Sequence, residues 1–466
     1  MIRTEETICA PATSGKGAIA IIRISGPQSI SICDRIFFAA GSRKLSDQAG
    51  NTIIYGEIRS GEEIIDDVLV SIFRAPHSYT GEESAEISCH ASGYIQHRIM
   101  GLLIENGAVA AAPGEFTQRA FMNGKIDLSQ AEAVADIIAA ESENAHRIAI
   151  SQMRGTFSDS IRELRSDLLH FTSLIELELD FGEEDVEFAD RTELAQIAEK
   201  ALNLTRKLAL SFDLGNAIKN GIPVTIAGAP NTGKSTLLNL LLNEEKAIVS
   251  DIPGTTRDFI EDTIVIDGTQ YRFIDTAGLR NSSDSIEILG INRTLQKIEQ
   301  ASVILLVADI SEGTAALTGT FAEIREKISG SKKKVIILVN KTDLSLASNR
   351  SKFEKNIKLL DNEHILFISA RTGLGIEGLK ELLKRITNVS ESLTEGVIIS
   401  NIRHYDALVQ VSESLGRVLA GLENKIPEDL IAIDIRQAIH YLGEITGEIT
   451  TDEILGNIFR NFCIGK

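Results

Sequence analysis

Residues 228–235 read GAPNTGKS. The stretch fits G-x-x-x-x-G-K-[ST], a loop whose backbone N–H groups turn inward around phosphate oxygens. It follows the apolar run IPVTIAG (222–228) and opens onto STLLNLLLNEE (235–245). The motif therefore lies between a strand and a helix, the context its chemistry needs. In that frame Lys234 reaches the β- and γ-phosphates of a nucleotide and Ser235 ligates Mg²⁺, with Thr232, Gly233 and Thr236 also facing the phosphates.

Strand-like runs alternate with helical stretches up to about residue 385: YRFIDTAG (271–278), VILLVAD (303–309), KVIILVNKTD (334–343) and HILFISA (364–370). That rhythm predicts a doubly wound parallel sheet, a Ras-like G domain. Each further motif falls at a strand end. In DTAG (275–278), Asp275 is placed to hold the Mg²⁺ shell and the Gly278 N–H to sense the γ-phosphate, with Thr276 and Ala277 between them. Thr256, in GTTRD (254–258), is the natural second hydroxyl ligand of Mg²⁺. NKTD (340–343) brings Asn340, Lys341 and Asp343 to the base. The Asp343 carboxylate can accept from both N1–H and the exocyclic amine of guanine, whereas adenine would leave it unpaired. Ser369 and Ala370 can supply a backbone N–H to the guanine oxygen. The ordered set predicts a GTP hydrolase.

One position departs from the Ras pattern. Where Ras-like enzymes carry a water-orienting glutamine, this chain has Leu279, which cannot orient water. Catalytic help must come from elsewhere. Asn231, in the variable part of the loop, either offers an amide oxygen to a monovalent cation bridging the β- and γ-phosphates or simply tightens the loop turn.

The bulk numbers set limits. A chain of 466 residues accommodates about three domains. A net charge of −19 excludes one broad basic face for nucleic acid, so a phosphate-rich partner must be met locally or through a second protein. The cysteines at 9, 33, 89 and 463 lie far apart, which argues against a zinc site or a disulfide framework and fits the cytoplasm. The sequence shows neither a membrane span nor a secretory signal.

Residues 1–120 read as mixed α/β and 121–217 as helical, with Leu128, Ala131, Val134, Ala135 and Ile138 on one face and Ile161, Leu164, Leu168, Phe171 and Ile175 forming a second stripe. The acidic stretch 176–188 reads as a solvated interruption. Helical pattern resumes over 386–466. The expected architecture is a multidomain α/β plus α chain: an N-terminal domain, a discontinuous helical domain (121–217 and 386–466), and a G domain (218–385) inserted in it.

GAPNTGKS, DIPGTTRD (251–258) and DTAGLR (275–280) resemble the translation-factor-related GTPases. GKGAIAIIRISG (15–26), PGEFTQRAFMNGKIDLSQAEAVADII (113–138) and the terminal FCIGK (462–466) narrow this to a resemblance to the MnmE (TrmE) family, GTPases that modify tRNA uridine. The resemblance covers essentially the whole chain. It implies a dimerising, folate-binding N-terminal domain, a homodimer, and a complex (a heterotetramer or larger) with MnmG, an FAD- and NADH-using partner. Together they would install an aminomethyl or carboxymethylaminomethyl group at C5 of the wobble uridine of certain tRNAs, with 5-formyl- or 5,10-methylenetetrahydrofolate as the one-carbon source. It further implies potassium-dependent hydrolysis, with K⁺ held by Asn231, Ser250, Ile252 and Thr255, and Glu287 orienting the water.

Arg23 interrupts an apolar strand run, where an unpaired charge is costly, so it needs a partner or an anionic ligand. The resemblance implies that Arg23 meets the folate with Glu86, Lys125 and Lys466, while a structural Arg23–Glu86 ion pair is the alternative. Cys463 matches a family cysteine that matters for modification. The competing reading is a ribosome-assembly GTPase of the Era or Der type. Against it stand a single set of G-domain motifs, the acidic balance and FCIGK.

Overall fold

The structure, a computed structural model, describes residues 5–13, 17–39, 41, 43–180, 191–246, 262–274, 298–313, 319, 321–322, 324–326, 328, 333–344, 350, 353, 357–387, 389, 396–460 and 462–465. The chain divides into two compact units, Met1–Ile138 with Ile150–Thr205 and Ala407–Lys466, and Ala139–Ala149 with Arg206–Asp406.

In the first unit, β1 (Ile8–Pro11), β2 (Ile19–Ser25), α1 (Ser29–Ile36), β3 (Phe37–Ala39), β4 (Thr52–Ser60), β5 (Glu63–Phe73), β6 (Ser84–His90), α2 (Gly93–Glu105) and β7 (Val109–Ala110) build a sheet of order β3-β4-β5-β6-β2-β1-β7. Its pairings are antiparallel except β1 with β7. Period-two alternation sends Ala20, Ile22 and Ile24 of β2 into a core with Val70, Ile87 and the α1 and α2 residues Ile32 and Ile99. The intervening Arg23 is thereby placed on the opposite face, directly across from Glu86 of β6.

Helices follow: α3 (Glu115–Met122), α4 (Leu128–Ala139), α5 (Glu143–Met153), α6 (Thr156–Asp180), α7 (Arg191–Leu210) and α8 (Phe212–Asn220). The stripe from Ile161 to Ile175 is buried throughout, as its three-and-four spacing predicts. On α4 the stripe is buried at Leu128 and Ala131, but Ile138 is 47% exposed. The acidic stretch is not an interruption at its start, since α6 continues through Glu176 to Asp180. Residues 181–190 lie outside the described residues.

The second unit contains β8 (Ile222–Ala227), α9 (Lys234–Lys246), β9 (Asp262–Ile266), β10 (Thr269–Phe273), β11 (Val303–Asp309), β12 (Lys334–Asn340), β13 (Glu363–Phe367) and α10 (Ile376–Thr387). The sheet order is β13-β12-β11-β8-β10-β9, parallel apart from β9. Strands β11 and β12 are buried almost end to end, which is why they read as unbroken apolar runs. Strand order reverses beside β8, between its neighbours β10 and β11, so the crevice at the carboxyl ends of the strands opens where residues 228–233 begin. The last helices are α11 (Ile402–Glu423), α12 (Glu428–Thr446) and α13 (Asp452–Phe459). In the first unit α12 packs along α6. None of the described helices is long and apolar enough to cross a membrane.

Candidate functional site

The loop between β8 and α9 is shaped by backbone constraints. Gly233 has φ +99, and a Cβ there would lie 2.3 Å from Asn340 Nδ2, so glycine alone fits. Asn231 adopts φ 60 and is exposed. Asparagine tolerates this left-handed conformation better than most residues, which gives a conformational reason for its presence beside the cation reading. Lys234 Nζ donates to the Gly228 and Ala229 carbonyls at 2.9 and 2.7 Å, and burial pulls its ammonium below the ordinary lysine range. A phosphate would take over those donors. The N–H groups of the first turn of α9, which includes Ser235 and Thr236, open onto the same place with the positive end of the helix dipole.

The base-reading motifs are joined to this loop by one side chain. Asn340 is 2% exposed; its Nδ2 donates to the Thr232 carbonyl at 2.8 Å and its Oδ1 accepts from the Ala370 N–H at 2.9 Å. Three strand ends are thus clasped by a single amide. Each such bond contributes about 0.5–1.5 kcal/mol net, and leaving its buried partners unmatched costs more. A guanine oxygen would have to share the Ala370 N–H with Asn340. Asp343 Oδ1 accepts from Ser369 Oγ at 2.7 Å, which fixes the carboxylate beside the 369–370 turn. Lys341, at φ 62, pairs with Asp309 at 2.6 Å. Burial opposes ionisation of Asp309, but hydrogen bonds from Lys341 and Ser311 outweigh it and hold the carboxyl below its usual range.

A second constellation lies in the first unit. Arg23 donates from Nε to Glu86 Oε1 at 2.9 Å and its Nη2 lies 2.8 Å from the same oxygen. Its Nη1 reaches the Gly465 carbonyl at 3.4 Å. The guanidinium sits 5.2 Å from the Tyr79 ring centroid and 5.6 Å from that of Phe116, within cation–π range of both. Tyr79 is steadied by a 2.8 Å hydrogen bond between its hydroxyl and Thr117 Oγ1. Lys125 is exposed, and its Nζ donates to the Pro76 carbonyl at 3.0 Å. Cys463 is exposed beside the Phe459–Phe462 ring pair, which anchors the chain end against Leu128 and Ala131. The other cysteines are buried: burial pushes the Cys9 thiol up to about 12, burial and then Asp66 push Cys89 up to about 11, and Cys33 is raised as well.

Family models match almost the whole chain. The model of the GTP-binding protein TrmE N-terminus matches residues 7–125, and that of the MnmE helical domain matches residues 128–463. The chain belongs to the MnmE (TrmE) family. A relative from Bacteroides thetaiotaomicron, named tRNA modification GTPase MnmE, is 51% identical and the match covers 99% of this chain and 100% of the relative. Relatives of the same name from Parabacteroides distasonis and Christiangramia forsetii are 51% and 49% identical, covering 99% and 100% of this chain and all of each relative.

Within this MnmE-family chain the described residues bring together Asn231, Thr232, Gly233, Lys234, Ser235, Thr236, Asn340, Lys341, Asp343, Ser369 and Ala370 at adjoining ends of β8, β12 and β13. Ser250, Ile252, Thr255, Thr256, Asp275, Thr276, Ala277, Gly278, Leu279, Glu287 and Lys466 lie outside the described residues. Sequence reasoning passed over Tyr79 and Phe116, which reach Arg23 from distant segments. It also missed Arg119, whose fully buried side chain pairs with Glu82 and Glu115 at 3.2 and 3.1 Å and donates to the Glu6 carbonyl at 2.8 Å. The four-residue step from Glu115 to Arg119 on α3 was the available signal.

Proposed function

We propose that this chain is a GTP hydrolase acting in tRNA modification: potassium-stimulated, dimeric, cytoplasmic, and working with MnmG at C5 of the wobble uridine of certain tRNAs. The observation that carries the GTPase half is the Asn340 clasp, because it joins a phosphate-binding loop to an Asp343–Ser369 pair suited to guanine. Full-length similarity to relatives named tRNA modification GTPase supports the other half. Mg²⁺ and K⁺ would neutralise charge developing on the phosphates. In this reading Ser235 and Thr256 hold Mg²⁺, with Asp275 in its shell, while Asn231, Ser250, Ile252 and Thr255 hold K⁺ and Glu287 orients the water.

The Arg23 constellation suits a reduced folate, which supplies a one-carbon unit. The exposed ammonium of Lys125 suits its carboxylates, as would the ammonium of Lys466, while Glu86 suits the pterin amine and ring N–H. The Tyr79 and Phe116 rings lie within cation–π range of Arg23, beside its ion pair with Glu86. Cys463, exposed at the chain end, belongs to the modification step. Mass spectrometry of wobble uridines from a strain lacking the gene tests the whole reading. The C5 modification should be missing there, restored by the wild-type chain, and not restored by Asp343→Asn or Arg23→Ala. Full modification in the deletion strain would overturn it.

A further inference from the structure

The β9–β10 hairpin turns through Asp267 and Gly268, with φ 48 and 71. Two successive left-handed residues between the facing pair Ile266 and Thr269 are what a tight two-residue hairpin turn requires, and Asp-Gly meets the requirement. Such a tip needs no outside support. Here it is nonetheless gripped by Glu141 and by the first residues of α5.

Ser142 starts α5, its hydroxyl accepting from the Ala145 N–H at 3.3 Å. That cap leaves the Asn144 N–H pointing out of the helix start, and it donates to the Gly268 carbonyl at 3.0 Å. The Asn144 side chain, 5% exposed, donates to Thr269 Oγ1 at 2.9 Å. Gln270 Nε2 donates to Glu141 Oε2 at 2.9 Å. Glu143 packs so closely over the turn that a Cβ on Gly268 would meet Glu143 Cβ at 3.1 Å. From α10, Thr387 bonds Tyr271 at 3.1 Å and Lys384 pairs with Asp267 at 2.5 Å, although the exposed ion pair adds little. All of these residues belong to the second unit.

Chain order gives the grip its meaning. Thr256 lies shortly before β9, and Asp275 is the second residue after Phe273, the end of β10. The clamped hairpin is therefore the covalent bridge between the segment that contains Thr256, a proposed Mg²⁺ ligand, and the one that contains Asp275 and Gly278, proposed at the Mg²⁺ shell and the γ-phosphate. Helix α5 then runs on past Ala149, where the first unit resumes.

We propose that residues 141–144 are positioning residues for GTP hydrolysis, acting through the β9–β10 hairpin rather than on the nucleotide. The proposal rests on the GTPase reading above. Fixing the hairpin tip fixes where β9 begins and β10 ends, so loosening it lowers turnover and leaves the pocket for guanine intact. Conversely, nucleotide state is felt at 141–149.

The test uses the full-length protein. Asn144→Ala should lower kcat about tenfold, the scale of one lost buried hydrogen bond, with KM and GDP affinity unchanged. Glu141 is exposed, so Glu141→Ala folds without difficulty and should lower kcat about twofold to threefold with KM unchanged. Hydrogen exchange over 141–149 should differ between the complexes with GDP and with a non-hydrolysable GTP analogue, a readout that a purely structural contact would not move. Wild-type kcat in both variants, or identical exchange in the two complexes, overturns the proposal while GTP turnover by the wild type leaves the GTPase reading standing. A wild-type chain that hydrolyses no GTP overturns both.

Discussion

In the nucleotide loop, the groups that would face phosphate come from one uninterrupted segment, residues 228–236, and most are backbone amides. In the Arg23 constellation the partners are side chains from separate parts of the chain, and Arg23 meets the carbonyl of a residue 442 positions away. The first site is a property of local backbone geometry, with Gly233 and the start of α9 supplying it. The second exists only once β2 and β6 have paired in register and the chain end has packed. A site built from local backbone tolerates loss of most single side chains. One built from converging side chains does not, because each is held by the others.

That contrast predicts where substitutions bite. The largest effect is expected where the nucleotide site does depend on a side chain. Asp343→Asn should weaken GTP binding by about 10³-fold and shift preference to xanthosine triphosphate, which presents a carbonyl where guanine has its amine. An unchanged KM for GTP would break the assignment of the base pocket. Next, Arg23→Ala and Glu86→Ala should each weaken 5-formyltetrahydrofolate binding by roughly tenfold to a hundredfold in titration calorimetry, the scale of a lost charge-assisted contact. Wild-type affinity in both would leave the pair as a structural cross-strand bridge. Smaller effects sharpen the comparison further. Tyr79→Ala should weaken folate binding by roughly threefold to fivefold, through a looser Arg23, and Tyr79→Phe by less than about twofold, because the ring over the guanidinium remains. Equal losses in the two Tyr79 variants would show that the Thr117 hydrogen bond, and not the ring, matters.

Legibility follows the same division. GAPNTGKS, NKTD and the alternation of buried strands with helices could be read directly, because each signal is local and its physics is periodic or conformational. The Ile161–Ile175 stripe was legible for the same reason. Arg23 could be flagged as a charge in an apolar strand, and Glu86 faced it. Its aromatic neighbours could not be foreseen, since nothing in the sequence near Tyr79 or Phe116 encodes which strand they cover. The continuation of α6 through Glu176–Asp180 runs against the acidic composition of that stretch, because the apolar stripe entering it carries the helix on. Asn340 was expected at the base, yet its bonds to Thr232 and Ala370 depend on β8, β12 and β13 lying side by side, which only the sheet order supplies.

Asn231 is where the two ways of building a site compete in one residue, since its φ of 60 is a backbone reason for asparagine and its amide oxygen a chemical one. Asn231→Gly separates them, because glycine keeps the left-handed turn and removes the oxygen. The decisive measurement is GTP turnover by the full-length wild type and this variant, in potassium and in sodium, alongside nucleotide affinity. The account predicts turnover stimulated by potassium in the wild type only, with nucleotide bound equally well by both proteins. Equal turnover of the wild type in the two salts, or stimulation by potassium retained in Asn231→Gly, would contradict it.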